Sequence, residues 1–131
     1  MLWRPGPGAG FTDPDVEPWL PLGDSDVNVE QQRDDRRSTL RLCHDLIKLR
    51  RESPDLRSGG YTSLDAPDGV WVYRRGTDTV VALNFQDEEV AVPGVRGRIL
   101  IASERAHDGT DVTRVLRLGP AEAVIVVSDQ R

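Results

Sequence analysis

The sequence is poor in the residues that do redox, metal or nucleic-acid chemistry. Its single cysteine, Cys43, excludes an internal disulfide, and a place within a helical pattern marks it as a half-buried small hydrophobe rather than a nucleophile. Two histidines without cysteine partners make a poor zinc set, so no metal and no cofactor is expected. Positive charge is also short: 17 basic residues face 22 acidic ones, for a net charge of -5. The basic residues are interleaved with acids, as in Arg33-Asp34-Asp35-Arg36-Arg37, which leaves no stripe to follow phosphates and excludes nucleic acid as a partner. No apolar run approaches the roughly 18 residues needed to cross a bilayer. Met1-Leu2-Trp3-Arg4-Pro5 lacks a basic segment followed by an apolar one, and the chain reads as cytoplasmic with no membrane partner. Aromatics make up only 5% of the residues, which implies a modest core.

What is present falls into three stretches within 131 residues, the length of one ordinary domain. Residues 1 to about 32 are dense in proline and glycine, which block helix and ladder alike, and read as a long loop. Long loops in compact domains are functional or packed on something else, so Trp3, Phe11 and Trp19 need a covering surface. From Asp34, with Asp34 or Asp35 as cap, the apolar positions Leu40, Cys43, Leu46 and Ile47 recur at spacings of three and four. This predicts one amphipathic helix to about Glu52, where Ser53-Pro54 stops it. After Gly59-Gly60 the period drops to two, with β-rich runs at 61–65, 70–75, 79–85, 89–92, 98–102, 111–118 and 122–127. No helical pattern separates these runs, so crossover units are absent. The expected fold is mainly β, an antiparallel Greek-key β-sandwich preceded by the loop and the helix.

Candidate chemistry along the chain is weak on its own terms. His44 lies mid-helix beside Asp45 and reads as part of a polar face, and His107 sits in a solvated hairpin loop, so neither is placed as a general base. Pro5 and Pro7 remove amide donors from the glycines at 6, 8 and 10, which disqualifies that segment as a phosphate cradle. Asp13 and Glu17 are paired carboxylates on a loop that fixes neither their separation nor their pKa values, and a solvated turn accounts for them.

Five pieces of sequence in order resemble one family. Gly8-Ala9-Gly10-Phe11-Thr12, Glu17-Pro18-Trp19-Leu20-Pro21 and Asn28-Val29-Glu30-Gln31-Gln32 resemble the segment after the last barrel strand of α-glucosidases and oligo-1,6-glucosidases of the α-amylase superfamily. Residues 45–56 resemble that family's eighth barrel helix and its exit, and Gly59-Gly60-Tyr61 the lead into its C-terminal domain. Val72-Tyr73-Arg74-Arg75 with Val81-Ala82-Leu83-Asn84-Phe85 is similar to the first hairpin of that domain, and residues 99–103 and 118–124 to later strands. Met1-Leu2-Trp3 also resembles a family pattern, but Arg4 stands where an acidic residue usually follows.

The resemblance implies that residues 1–57 are the closing loop and last helix of a (β/α)₈ barrel and residues 58–131 a C-terminal antiparallel β domain. The family's catalytic acids sit at the ends of barrel strands that precede this region, and a full barrel takes about 250 residues. No catalytic residue is therefore expected here, and the chain alone should be inactive. Its role would be structural, supporting an upstream catalytic barrel as partner. Trp3, Phe11 and Trp19 are the candidate substrate-binding residues, because aromatic faces stack on pyranose rings. A rival reading is a free-standing β-sandwich that binds α-glucan oligosaccharides through Trp71 and Tyr73, which share one face of their strand, although core packing is the simpler role for that pair.

Overall fold

The structure is a computed structural model that describes residues 1–24 and 26–128; residues 25 and 129–131, the last of them within the expected β domain, lie outside the described residues. The chain divides into two compact units, Met1–His44 and Asp45–Arg131.

In the first unit the stretch expected to be loop to about residue 32 is more ordered than its composition suggests. A 3-10 turn forms at Pro7–Gly10, and helix α1 spans Val29–Asp34. Buried Asn28 starts α1: its side chain accepts from the Gln31 amide at 3.0 Å and donates to Gln31 Oε1 at 2.8 Å, so cap and third residue satisfy each other. The next free amides of the helix, those of Val29 and Glu30, donate to the carbonyls of Leu2 and Trp3. Trp3 in turn donates to the Ala9 carbonyl. Proline and glycine thus exclude long elements here, while backbone bonds still fold the segment on itself.

Helix α2 spans Thr39–Glu52 and α3 spans Pro54–Ser58, so the described chain has three α-helices rather than one. The cap of α2 is neither Asp34, which belongs to α1, nor Asp35, whose carboxylate accepts from the Arg37 amide in a local turn. It is Ser38, whose Oγ accepts from the Arg41 amide and donates to the Gln32 carbonyl. Ser53 ends α2 as expected and then caps α3, with Pro54 at the first helical position, where a missing amide costs nothing. The apolar stripe of α2 finds little cover: none of its residues is buried, Ile47 is exposed, and Cys43, expected to be half-buried, is exposed.

The second unit is an antiparallel β-sandwich. Its strands are β1 (Tyr61–Leu64), β2 (Val70–Arg75), β3 (Thr79–Asn84), β4 (Val90–Pro93), β5 (Gly97–Ala102), β6 (Asp111–Val112), β7 (Val115–Leu118) and β8 (Ala123–Val127). The expected run 111–118 is two short strands that pair with different neighbours. One sheet has the order β1-β2-β3-β8-β5-β6, the other is β4-β7, and every pairing is antiparallel. After β3 the chain crosses to the small sheet as β4, rejoins the large sheet as β5 and β6, crosses again as β7, and re-enters as β8 between β3 and β5. Alternation decides the core. Val72, Val80, Ala82, Val124 and Val126 face inward from the large sheet and meet Val92, Leu116 and Leu118 from the small one. Among the described residues no helix is long and apolar enough to cross a membrane.

Candidate functional site

The three aromatics singled out in the first unit are all on its surface. Trp19 is 91% exposed, Phe11 57% and Trp3 48%. Phe11 and Trp19 line one shallow cavity together with Met1, Leu2, Pro18 and Leu20, whereas Trp3 is outside that lining. A neighbouring groove, also reaching Met1 and Leu2, is lined by Val27, Leu40 and the exposed Cys43. The groove also carries polar side chains, of which Asn28, Gln31, Gln32, Asp35 and Ser38 are engaged in the caps and turns of the helices. Asp13 and Glu17 are both solvated. Among the described residues no group of three or more His, Cys, Asp and Glu side chains is arranged to hold a metal ion.

In the second unit, ionisable clusters hold the fold. Arg105 has its side chain only 10% exposed, and its Nη2 lies 2.8 Å from Asp45 Oδ2 and 2.9 Å from Asp108 Oδ2. Burial alone would lower its pKa; the hydrogen bond and charge of Asp45, joined by those of Asp108, outweigh that and raise it. The other oxygen of Asp108 accepts from the Ala102 amide, so one guanidinium links the C-terminal half of α2 to the loop after β5. Asp55 Oδ2 accepts from the Asp78 amide and from the amide and hydroxyl of Thr79. The backbone bond from Asp78 contributes most to holding its carboxyl below the usual range, against a smaller opposing effect of burial.

His107, expected in a solvated loop, is half-exposed but paired: Nδ1 lies 2.7 Å from Glu122 Oε1. Glu122 is itself buried and accepts from the Gly119 amide through its other oxygen. The arrangement has a base and an orienting carboxylate, yet both Glu122 oxygens are committed to loop structure. It fixes the β7–β8 turn against the segment before β6.

The most distinctive surface feature is a cluster of rings on the outer face of β1 and β2. Trp71 and Tyr73 do share a face, as their spacing requires, but that face is outward and Trp71 is 46% exposed, so core packing does not account for it. Tyr73 lies between the other two: its ring centroid is 4.9 Å from Trp71 and 5.3 Å from Tyr61, with tilted planes. Trp71 Nε1 donates to the Tyr61 hydroxyl at 3.3 Å. Arg75, opposite Tyr61 in the ladder, shares the face, and its buried Nε has no hydrogen-bond partner among the described residues. Sequence reasoning found Trp71 and Tyr73 by their alternation; it missed Arg75, which the same alternation along β2 puts on that face, and Tyr61, which only the β1–β2 register brings beside them.

Comparison with known proteins places this geometry in a wider context. Residues 57–126 match the model of DUF3459, a domain of unknown function. The chain is similar to α-glucosidase MAL12 of Saccharomyces cerevisiae, 34% identical over 130 residues, which covers 89% of this chain and 22% of the yeast protein. It is also similar to the probable oligo-1,6-glucosidase 2 of Bacillus subtilis, 31% identical over 142 residues, 99% of this chain and 24% of that protein. Among solved structures, the trehalulose synthase MutB from Pseudomonas mesoacidophila MX-45 superposes with a TM-score of 0.80 at 26% identity, over 96% of this chain and 24% of the synthase. The chain thus spans between a fifth and a quarter of the length of these relatives.

Proposed function

The chain belongs to the DUF3459 family, the β-rich C-terminal domain of α-amylase-superfamily proteins, and from that premise we propose that it is the structural accessory part of an α-glucosidase-like glycoside hydrolase. In this reading residues 1–57 close a catalytic (β/α)₈ barrel, residues 58–131 form the C-terminal domain, and the catalytic acids come from an upstream barrel. The substrates proposed for the assembled enzyme are α-glucosides. The cytoplasm is the proposed location, where the exposed Cys43 thiol would remain reduced.

One observation carries the reading: α2 is amphipathic in sequence yet has no buried residue, and Phe11 and Trp19 stand exposed beside it in sequence order. An amphipathic helix earns its stability by burying its stripe against another element, and among the described residues that stripe is at most half-buried. Burial of a few hundred Å² of such surface at roughly 25 cal/mol per Å² gives several kcal/mol of docking energy before entropy is subtracted. Trp3, Phe11 and Trp19 either pack in that interface or line the sugar cleft it closes. The carboxylates of Asp55, Asp108 and Glu122 are engaged in holding turns, which supports the assignment of catalysis to another part.

Co-expression with a barrel of the same family tests the proposal. The two parts are expected to copurify and cleave an aryl α-glucoside, with neither part active alone. Hydrolysis by this chain alone, or a barrel whose activity and melting temperature are unchanged by it, would overturn the assignment.

A further inference from the structure

We propose that Tyr61, Trp71 and Tyr73 form a carbohydrate-binding platform that takes a short neutral gluco-oligosaccharide. The case begins with what the register forces. Tyr61 pairs with Arg75 and Ser63 with Tyr73, so Tyr61, Ser63, Trp71, Tyr73 and Arg75 stand on one face at the edge of the large sheet. An apolar residue exposed on a sheet usually costs solubility, and three large rings gathered on five positions are more than solubility favours. Their exposure is fixed rather than incidental. The hydrogen bond from the Trp71 indole to the Tyr61 hydroxyl locks two of the rings in place, and Tyr73 packs between them. Little rotamer freedom is then left to lose on binding.

The chemistry of the patch selects the ligand. Its flat faces suit the C–H faces of pyranose rings, and its polar groups are two tyrosine hydroxyls, a serine hydroxyl and a guanidinium, which suit sugar hydroxyls. No carboxylate stands among these five positions, so nothing there calls for a cationic ligand, and the single arginine among neutral rings does not make a polyanion site. A neutral, hydroxyl-rich chain with apolar faces meets all of these terms. The choice of glucose units rests on the reading of the chain as part of an α-glucosidase-like enzyme; the platform itself rests on the ring geometry alone. Such a platform would hold a second stretch of substrate on the enzyme and raise its local concentration.

The test is calorimetric titration of the whole chain with maltotetraose and isomaltotetraose, in the wild type and in Trp71→Ala, Trp71→Phe, Tyr73→Ala and Val115→Ala variants. Saturable binding is expected for the wild type, weakened roughly tenfold or more by Trp71→Ala or Tyr73→Ala. Trp71→Phe should recover part of it, and Val115→Ala, on the opposite sheet, should leave it unchanged. Because Trp71 is exposed, far-UV circular dichroism of the variants should match the wild type. Absence of saturable binding to either sugar by the folded wild type, or equal binding by Trp71→Ala, overturns the platform. If Trp71→Ala instead abolishes copurification with a barrel and no sugar binds, the patch is a protein contact and the platform is again overturned. Sugar binding by a chain that fails to complement a barrel would sink the accessory role and leave the platform standing, so the two failures are distinguishable.

Discussion

The carboxylate of Asp55 occupies the space that a side chain at Gly76 would need. Gly76 has φ +59°, and a Cβ built there would overlap the Asp55 carboxyl group. The β2–β3 turn and the α3 start are therefore shaped to each other: α3 delivers the carboxylate, and the glycine leaves room for it to reach the amides of Asp78 and Thr79. Gly76→Ala incurs both a left-handed backbone and the overlap. It should lower stability by at least about 2 kcal/mol. A fall in the urea midpoint without a change in slope would register this; a midpoint within error of the wild type would refute the fit described.

Asp55 also sets an expected pH response. Its folded pKa lies below the unfolded value of about 3.9, so its contribution is fully present above that value and is lost as pH falls through the folded pKa. The wild type should lose stability in acid below about pH 4. In Asp55→Asn that acid loss should be smaller and stability at neutral pH lower. Thermal melts between roughly pH 2.5 and 7 would show whether the two curves converge at the acid end, as required.

Arg105 joins α2 to the β domain through Asp45 and Asp108. Removing the guanidinium takes from two partly buried carboxylates the cation they share. Arg105→Ala should destabilise by roughly 3 kcal/mol, and Arg105→Lys should recover only part, because one ammonium cannot reproduce the two-sided contact. Hydrogen exchange offers the sharper readout. Amides of residues 45–52 should lose protection well before those of β3 and β8.

The core makes a simpler prediction. Leu116, 1% exposed, lies on the two-stranded sheet and packs in the core shared with the large one. Leu116→Ala should cost about 2–5 kcal/mol, with a cavity between the sheets that cannot close easily. A loss under about 1 kcal/mol would show that β4-β7 is not the lid of the core.

Exposed apolar surface on the first unit is the last expectation. The chain alone should bind a hydrophobic dye such as ANS through the surface around Phe11 and Trp19, and Trp19→Ser should reduce that binding. Addition of a cognate barrel should abolish it. Dye fluorescence unaffected by either change would argue against this surface as an interface.

Much of the fold was legible because period-two alternation marks the strands and states which side chains share a face, and apart from 111–118, which is two strands, the strand limits differ from those expected by about one residue. Alternation does not state which face meets the core: Trp71 and Tyr73, for which core packing was the simpler reading, lie on the outer face, and Val72 lies inside. The first unit was less legible. Composition marks proline and glycine as breakers but says nothing about long-range backbone bonds, such as those from Val29 and Glu30 to Leu2 and Trp3, that make a helix start at Asn28. Trp3, Phe11 and Trp19 were identifiable as large rings in need of cover, yet the cavity shared by Phe11 and Trp19 without Trp3 depends on how the loop folds.

From its residues alone this chain determined that it would be a mainly antiparallel β protein with an amphipathic helix before it, because alternation and the three-four spacing are properties of the local chain. Which of its polar groups meet was decided only by tertiary structure. Asp45 finds Arg105 across 60 positions, Asp55 finds Thr79 across 24, and Tyr61 finds Trp71 across a hairpin. A hydrogen bond depends on separations of about 3 Å between side chains far apart in sequence, and the register of strands and the path of turns set that separation.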